Sequence, residues 1–172
     1  MVQTQATRAP STVVWSTVGG ANPAALFRNR SGRFTDVSRT SGAGVRIRGN
    51  GCVAGDLNGD GFSDIYVTAA GNDALLWNDG KGHFSEGARA AGITAWGWHS
   101  GAAIGDVNGD GRPDLFVAGY TDVNAPIPSS ASGFPNDHQG VRDLLYLNTG
   151  NDPNGHARFR EVGEMVGIDT RV

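Results

Sequence analysis

Short runs of apolar residues, each broken by a cluster of Gly, Asn, Asp or Ser, make up most of this chain. Runs of that length bounded by turn residues predict β-strands rather than helices. The runs also recur. Sliding the sequence by 50 residues sets Gly-Cys-Val-Ala-Gly-Asp-Leu-Asn (51–58) on Gly-Ala-Ala-Ile-Gly-Asp-Val-Asn (101–108), and Ile65-Tyr66-Val67 on Leu115-Phe116-Val117. A second signature occurs three times: an apolar run ending in Asn, then a turn, then a unit closed by Phe. Its copies are Ala25-Leu26-Phe27-Arg28-Asn29 with Phe34, Leu75-Leu76-Trp77-Asn78 with Phe84, and Leu144-Leu145-Tyr146-Leu147-Asn148 with Phe159.

Each full repeat reads as four strands: 51–55, 64–69, 74–78 and 83–87 in one, and 101–105, 114–119, 143–148 and 157–162 in the next. An insertion at 121–142 delays the third strand of the latter. A partial repeat precedes them, with strands near 12–18, 24–29 and 33–38, after a polar tail at 1–11. Four antiparallel strands recurring at this period predict an all-β chain of β-propeller blades, and the nearly continuous apolar runs suit blades covered on both faces. A β-sandwich is the alternative, but it leaves the 50-residue repeat without a cause. The expected organisation is a partial blade at 12–50, a blade at 51–100 and a blade with its insertion at 101–172. Two blades and a part cannot close a ring of at least four, so the expectation is a fragment of a larger propeller or a chain that assembles with other copies.

Composition sharpens this picture. The 27 glycines lack a Gly-X-Y period and a hydrophobic content of 38% argues against disorder, so the glycines read as turns. A net charge of −3 gives no reason to expect nucleic acid or an anionic membrane as partner. No apolar run is long enough to span a bilayer, and Met1 to Pro10 lacks the apolar stretch of a leader. The one cysteine, Cys52, excludes an internal disulfide and a Cys-based zinc site and reads as a small core residue.

Six of the 17 acidic residues fall in two matched nine-residue loops. They are Asp56-Leu-Asn58-Gly-Asp60-Gly-Phe62-Ser-Asp64 and Asp106-Val-Asn108-Gly-Asp110-Gly-Arg112-Pro-Asp114. Oxygen-bearing side chains stand at positions one, three, five and nine, Gly61 and Gly111 permit a sharp turn, and the carbonyl of Phe62 or Arg112 is free to join. Such an all-oxygen set favours Ca²⁺ over Zn²⁺, with Mg²⁺ second, and predicts two calcium sites. The alternative is a plain hairpin turn, for which Asp, Asn and Gly are all ordinary residues. An EF-hand is excluded, because its twelfth position would be Val67 or Val117 rather than Glu.

The pattern Gly-Asp-Xaa-Asn-Gly-Asp-Gly-Xaa-Xaa-Asp followed by an apolar strand resembles the FG-GAP, or VCBS-type, repeat of integrin α subunits and many bacterial surface proteins. The accompanying Leu-Xaa-Xaa-Asn and Gly-Xaa-Phe segments resemble most closely the cartilage acidic protein and ASPIC/UnbV group. The resemblance runs from about Val13 to Asp169. It implies a seven-bladed propeller, Ca²⁺ ligands at Asp56, Asn58, Asp60 and Asp64 and at Asp106, Asn108, Asp110 and Asp114, and an extracellular, periplasmic or cell-surface location. Against the family, the expectation is of too few repeats to close the ring and of no ASPIC/UnbV-type domain after them.

Strand polarity places the acidic loops at one end of the blades and the connections between blades at the other. At the latter stand Arg48, Trp96, Trp98 and His99, candidates to contact a protein or glycan beside the insertion. The alternative is that the tryptophans pack between blades. Asn29-Arg30-Ser31 matches a glycosylation acceptor, but Asn29 is also the repeated strand-three Asn, and the structural reading is preferred. No Ser/His/Asp arrangement is visible, and His83, His99, His138 and His156 are scattered without metal spacing. The expected function is therefore a non-catalytic, calcium-braced adhesion, scaffold or recognition module. A lectin-like propeller or a propeller-borne polysaccharide lyase or hydrolase is the alternative.

Overall fold

The computed structural model describes residues 2–4, 12–15, 24–122 and 139–168. The polar tail at 5–11 and most of the insertion, 123–138 with His138, lie outside these residues. Strands β1 (Val2–Thr4), β2 (Thr12–Trp15), β3 (Ala25–Arg30) and β4 (Arg33–Asp36) form a four-stranded antiparallel sheet in sequence order. Val2–Thr4, which the sequence suggests is part of a tail, pairs with β2 in the register Val2↔Val14. The short helical turn α1 (Ser38–Ser41) follows.

The next strands are β5 (Gly49–Gly55), β6 (Asp64–Asn72), β7 (Ala74–Asn78) and β8 (Phe84–Glu86). They are followed by β9 (Trp96–Gly105), β10 (Asp114–Gly119), β11 (Leu144–Asn151), β12 (Ala157–Glu161) and the turn α2 (Gly163–Val166). The strands coincide closely with the expected ones, but their assembly does not. They form one continuous antiparallel sheet in the order β12-β11-β10-β9-β6-β7-β8, with β5 also paired to β6. This sheet curls through 221° into a half-barrel.

The expectation of separate four-stranded propeller blades is thereby corrected, and with it the reading as part of a seven-bladed ring. The cause lies in two strand extensions. β6 runs on to Asn72, and β9 begins at Trp96 in what reads from sequence as a connection between blades. The two overhangs pair as Ala70↔Trp98, Gly71↔Gly97 and Asn72↔Trp96, so hydrogen bonding continues from one repeat into the next. The glycines that read as punctuation lie inside a ladder. Tryptophan's preference for a pleated, half-buried surface supports the strand on either side of Gly97.

Alternation along β6 and β7 then divides the core. Tyr66, Leu75 and Trp77 point into a cluster with Leu115, Val117, Leu144, Tyr146 and Phe159 from the second repeat. Ile65, Val67, Ala74 and Leu76 point the other way, onto Leu26 and Ala43, with Cys52 half-buried beside them. Both faces of these strands are therefore covered, which is why their sequences read as unbroken apolar runs.

Candidate functional site: the two ends of the sheet

The acidic loops join β5 to β6 and β9 to β10, and they have one geometry. Asp56 accepts the amides of Gly59 at 2.7 Å and Asp60 at 3.1 Å through Oδ1, and that of Gly61 at 2.8 Å through Oδ2. Asp106 accepts those of Gly109 at 2.8 Å, Asp110 at 3.1 Å and Gly111 at 2.8 Å. The side chain of Asn58 donates to Asp60 Oδ2, and that of Asn108 to Asp110 Oδ2, both at 3.0 Å. The third acidic residue of each loop is buried and faces the strands. Asp64 accepts the amides of Leu57 at 3.1 Å and Asn78 at 2.9 Å; Asp114 accepts those of Val107 at 3.0 Å and Asn148 at 2.8 Å.

These bonds explain the repeated Asn of the third strand. The side-chain amide of Asn78 donates to the Ser63 carbonyl at 3.0 Å, and that of Asn148 to the Pro113 carbonyl at 3.2 Å, tying the end of each loop to the strand beyond it. Their oxygens then accept the amides of Gly80 and Gly150 to start the following turn. Asn29 does the same for Gly32 at 2.9 Å, which supports the structural reading of that residue.

Burial pushes the Asp64 carboxyl up to about 7, with Asp60 and Asp56 adding to the shift and the amides of Asn78 and Leu57 opposing it. The backbone amide of Arg112 is the chief cause that holds Asp110 below the usual carboxylate range. The side chains of the seventh residues make contacts that differ between the loops. Phe62 lies against Gly80, where an added Cβ would sit 2.5 Å from the ring. Arg112 bonds Asp110 at 2.6 Å and the Asn148 carbonyl at 3.1 Å.

The calcium-binding reading is corrected on these grounds. It takes the side-chain oxygens at positions one, three, five and nine of each loop to converge on one cation. Here the carboxylates of Asp56 and Asp60, like those of Asp106 and Asp110, accept amides of their own loop, while Asp64 and Asp114 turn to the amides of Leu57 and Asn78 and of Val107 and Asn148. Asp110 has a guanidinium as well. Among the described residues no group of three or more His, Cys, Asp or Glu side chains is placed to hold a metal ion.

At the opposite end of β6 and β10 stand the other candidates. Trp96 is 65% exposed. Trp98 meets Tyr120 edge to face, with ring centroids 5.4 Å apart, and the Tyr120 amide donates to the Trp98 carbonyl at 2.8 Å. Arg48 is exposed, and its carbonyl accepts the amide of Ala70, the residue paired with Trp98. Arg48, Trp96 and Trp98 therefore share one end of the sheet.

His99 does not join them. It is 1% exposed, with Nδ1 2.9 Å from Asp73 Oδ2 but off the line of a good hydrogen bond, and Nε2 meets no hydrogen-bond partner among the described residues. Asp73 also accepts the Tyr66 hydroxyl at 2.6 Å and the Ala69 amide at 2.8 Å. Burial, then the Asp73 charge, pushes the Tyr66 phenol far up.

Asp73 escapes a reading that looks only for acidic clusters. Its signal was present: an Asp directly precedes the third apolar run in both repeats, at Asp73 and Asp143. Asp143 accepts the Gly119 amide at 2.8 Å, as Asp73 does that of Ala69.

No helix among the described residues is long and apolar enough to cross a membrane. A search of curated proteins gives no match. The model of the FG-GAP-like repeat matches residues 13–67 and 56–117, well over half of the chain, with each acidic loop inside a matched stretch. The chain belongs to the FG-GAP-like repeat family, a typically non-catalytic, structural class.

Proposed function

We propose that this chain is a non-catalytic recognition module that takes a protein partner at the aromatic end of its sheet, through Trp96, Trp98 and Arg48. The observation that carries the reading is the exposure of Trp96, 65%, beside the Trp98–Tyr120 pair. Large aromatics and arginine are the residue types that dominate the energetics of protein interfaces, and an exposed cluster of them calls for a partner. The acidic loops serve as braces that hold the far end of the strands in register. The Leu-Xaa-Xaa-Asn and Gly-Xaa-Phe segments support placing the chain near the cartilage acidic protein and ASPIC/UnbV group, and an extracellular or periplasmic setting is part of the proposal.

Affinity capture with the wild type and with the double variant Trp96→Ala/Arg48→Ala tests it, alongside matched thermal melts. A partner retained by the wild type and lost by an equally stable variant is the expected result. Equal capture by both would remove the aromatic end from the binding surface. Retention of glycans on an array, lost in the same variant, would assign the surface to carbohydrate instead.

A further inference from the structure

The connections between repeats align residue by residue at the same 50-residue shift as the acidic loops. Val45-Arg46-Ile47-Arg48 falls on Ala95-Trp96-Gly97-Trp98, so two arginines in one connection take the places of two tryptophans in the next. Alternation sets their direction. Val45 and Ile47 pack against the cluster of Leu26 and Ile65, and Ala95 belongs to the cluster of Tyr66 and Leu115. Arg46, Arg48 and Trp96 are exposed beside these buried positions, and Trp98 is half-buried.

The two connections are held against each other. Ala70 donates its amide to the Arg48 carbonyl at 2.9 Å and pairs with Trp98 in the ladder. The Asn50 side chain donates to the His99 carbonyl at 2.9 Å. One surface, built jointly by two consecutive repeats within the chain, thus carries both guanidinium groups and both indoles.

Charge is segregated between the two ends of the strands. The acidic loops lie at one end. At the other, the stretches from Val37 to Asn50 and from Gly87 to Ser100 hold Arg39, Arg46, Arg48 and Arg89 but no Asp or Glu. All of these arginines are exposed, and none makes an ion pair among the described residues. A guanidinium with no internal carboxylate keeps its fork of donors for the oxygens of a partner. The patch is also local, because the chain as a whole has a net charge of −3. A long polyanion laid across the molecule would meet the field of the acidic loops, whereas a short acidic segment would not.

We propose that the protein partner taken at the aromatic end presents a short acidic segment, whose carboxylates pair with Arg46 and Arg48 while an adjoining apolar side chain covers Trp96. This rests on the reading of that end as a recognition surface, and adds to it the charge of what is recognised and a second arginine. With guanidinium groups on one half and indoles on the other, the segment is read in one orientation.

Fluorescence anisotropy with labelled peptides of fixed sequence tests the proposal. The probes are Glu-Glu-Glu-Phe-Phe and its counterparts with Gln or Lys in place of Glu, with heparin as competitor. The wild type is expected to bind the Glu peptide, more weakly at high salt. Arg46→Gln/Arg48→Gln is expected to lose about tenfold in that affinity. Arg46→Glu/Arg48→Glu should reverse the preference and bind the Lys peptide, a gain that a misfolded variant cannot give. Both positions are exposed, so thermal melts should match the wild type.

Equal affinity of the wild type for the Glu and Gln peptides, with Trp96→Ala weakening both, overturns the acidic segment and leaves the aromatic surface standing. Displacement of the Glu peptide by heparin at lower concentration than by unlabelled peptide assigns the arginines to a sulfated glycan and overturns it as well. So does a wild type that binds no peptide up to about 1 mM, the weak end of specific association. Affinity capture at the aromatic end is judged independently of that last result, so the two readings fail separately.

Discussion

Asp64 and Asp114 each accept two backbone amides, at 3.1 and 2.9 Å in one repeat and 3.0 and 2.8 Å in the other. Asp73 and Asp143, at the opposite end of the same strands, share only one bond, to the amides of Ala69 and Gly119. Beyond it their surroundings differ. Asp73 is buried with Tyr66 and His99, whereas the residue aligned with Tyr66 is Phe116, which has no hydroxyl, and Asp143 is half-buried. The contrast separates two kinds of constraint. A nine-residue loop that closes on its own amides is specified locally, so its copies match. The far end is specified by whichever neighbours the sheet's continuation brings there, and the two repeats meet different ones.

The largest effect that can break this comparison is at Asp73. Asp73→Ala leaves a buried hydroxyl and amide without their shared acceptor, removes the carboxylate beside the buried His99 ring, and is expected to cost roughly 3–5 kcal/mol. Asp143→Ala loses one half-buried bond, worth about 1 kcal/mol. Urea denaturation of the two variants reads the difference directly. Equal losses would mean that the Tyr66–Asp73–His99 cluster contributes nothing beyond the bond both repeats share.

At the loop end the expectation reverses, since the copies should respond alike. Asp64→Ala and Asp114→Ala each strand two amides and are expected to cost roughly 2–3 kcal/mol. The losses should agree within about 0.5 kcal/mol, the scatter of changes without a mechanism of their own. A large inequality would show that the near-identical bond lengths conceal different strain or different burial in the two loops.

The same division decides what could be read from the sequence. The strands and loops were legible because apolar runs, Asn-ended third strands and glycine turns are local patterns. The polar positions of the loops were also legible, but not their partners. Asp56 at position one looks the same whether its oxygens face a cation or the amides of Gly59, Asp60 and Gly61, and only the backbone conformation distinguishes these. The continuous sheet was hidden by Gly71 and Gly97, which read as breaks yet pair with each other across the junction. The buried cluster was hidden by separation, since Tyr66, Asp73 and His99 stand in three different segments and carry no common signature.

A smaller effect sharpens the comparison within the loops, at the seventh position where their sequences differ. Arg112→Ala removes a partly exposed ion pair and a bond to the Asn148 carbonyl and is expected to cost about 0.5–1 kcal/mol. Because the pair is solvent-exposed, the loss should shrink in high salt. Phe62→Ala removes a ring lying on Gly80 and has no charge to screen, so its cost should be insensitive to salt. Thermal melts of both variants at low and high ionic strength separate the two anchors.

The smallest effects on stability are expected at the aromatic end, where the comparison turns from folding to recognition. Trp96 is 65% exposed, so Trp96→Ala should change stability by no more than about 0.5 kcal/mol. Trp98 is more buried and meets Tyr120 edge to face, and Trp98→Ala should cost more, by about 0.5–1.5 kcal/mol for the ring pair. Affinity for a captured partner should follow the opposite order. The ring that contributes least to the fold is the one most available to a partner, and truncating such a residue at the centre of an interface typically costs about 2 kcal/mol or more. Melts and affinities measured on the same two variants should therefore cross. If Trp96→Ala instead destabilises the sheet as much as Trp98→Ala, its ring belongs to the β6–β9 junction, and the recognition surface has to be sought elsewhere.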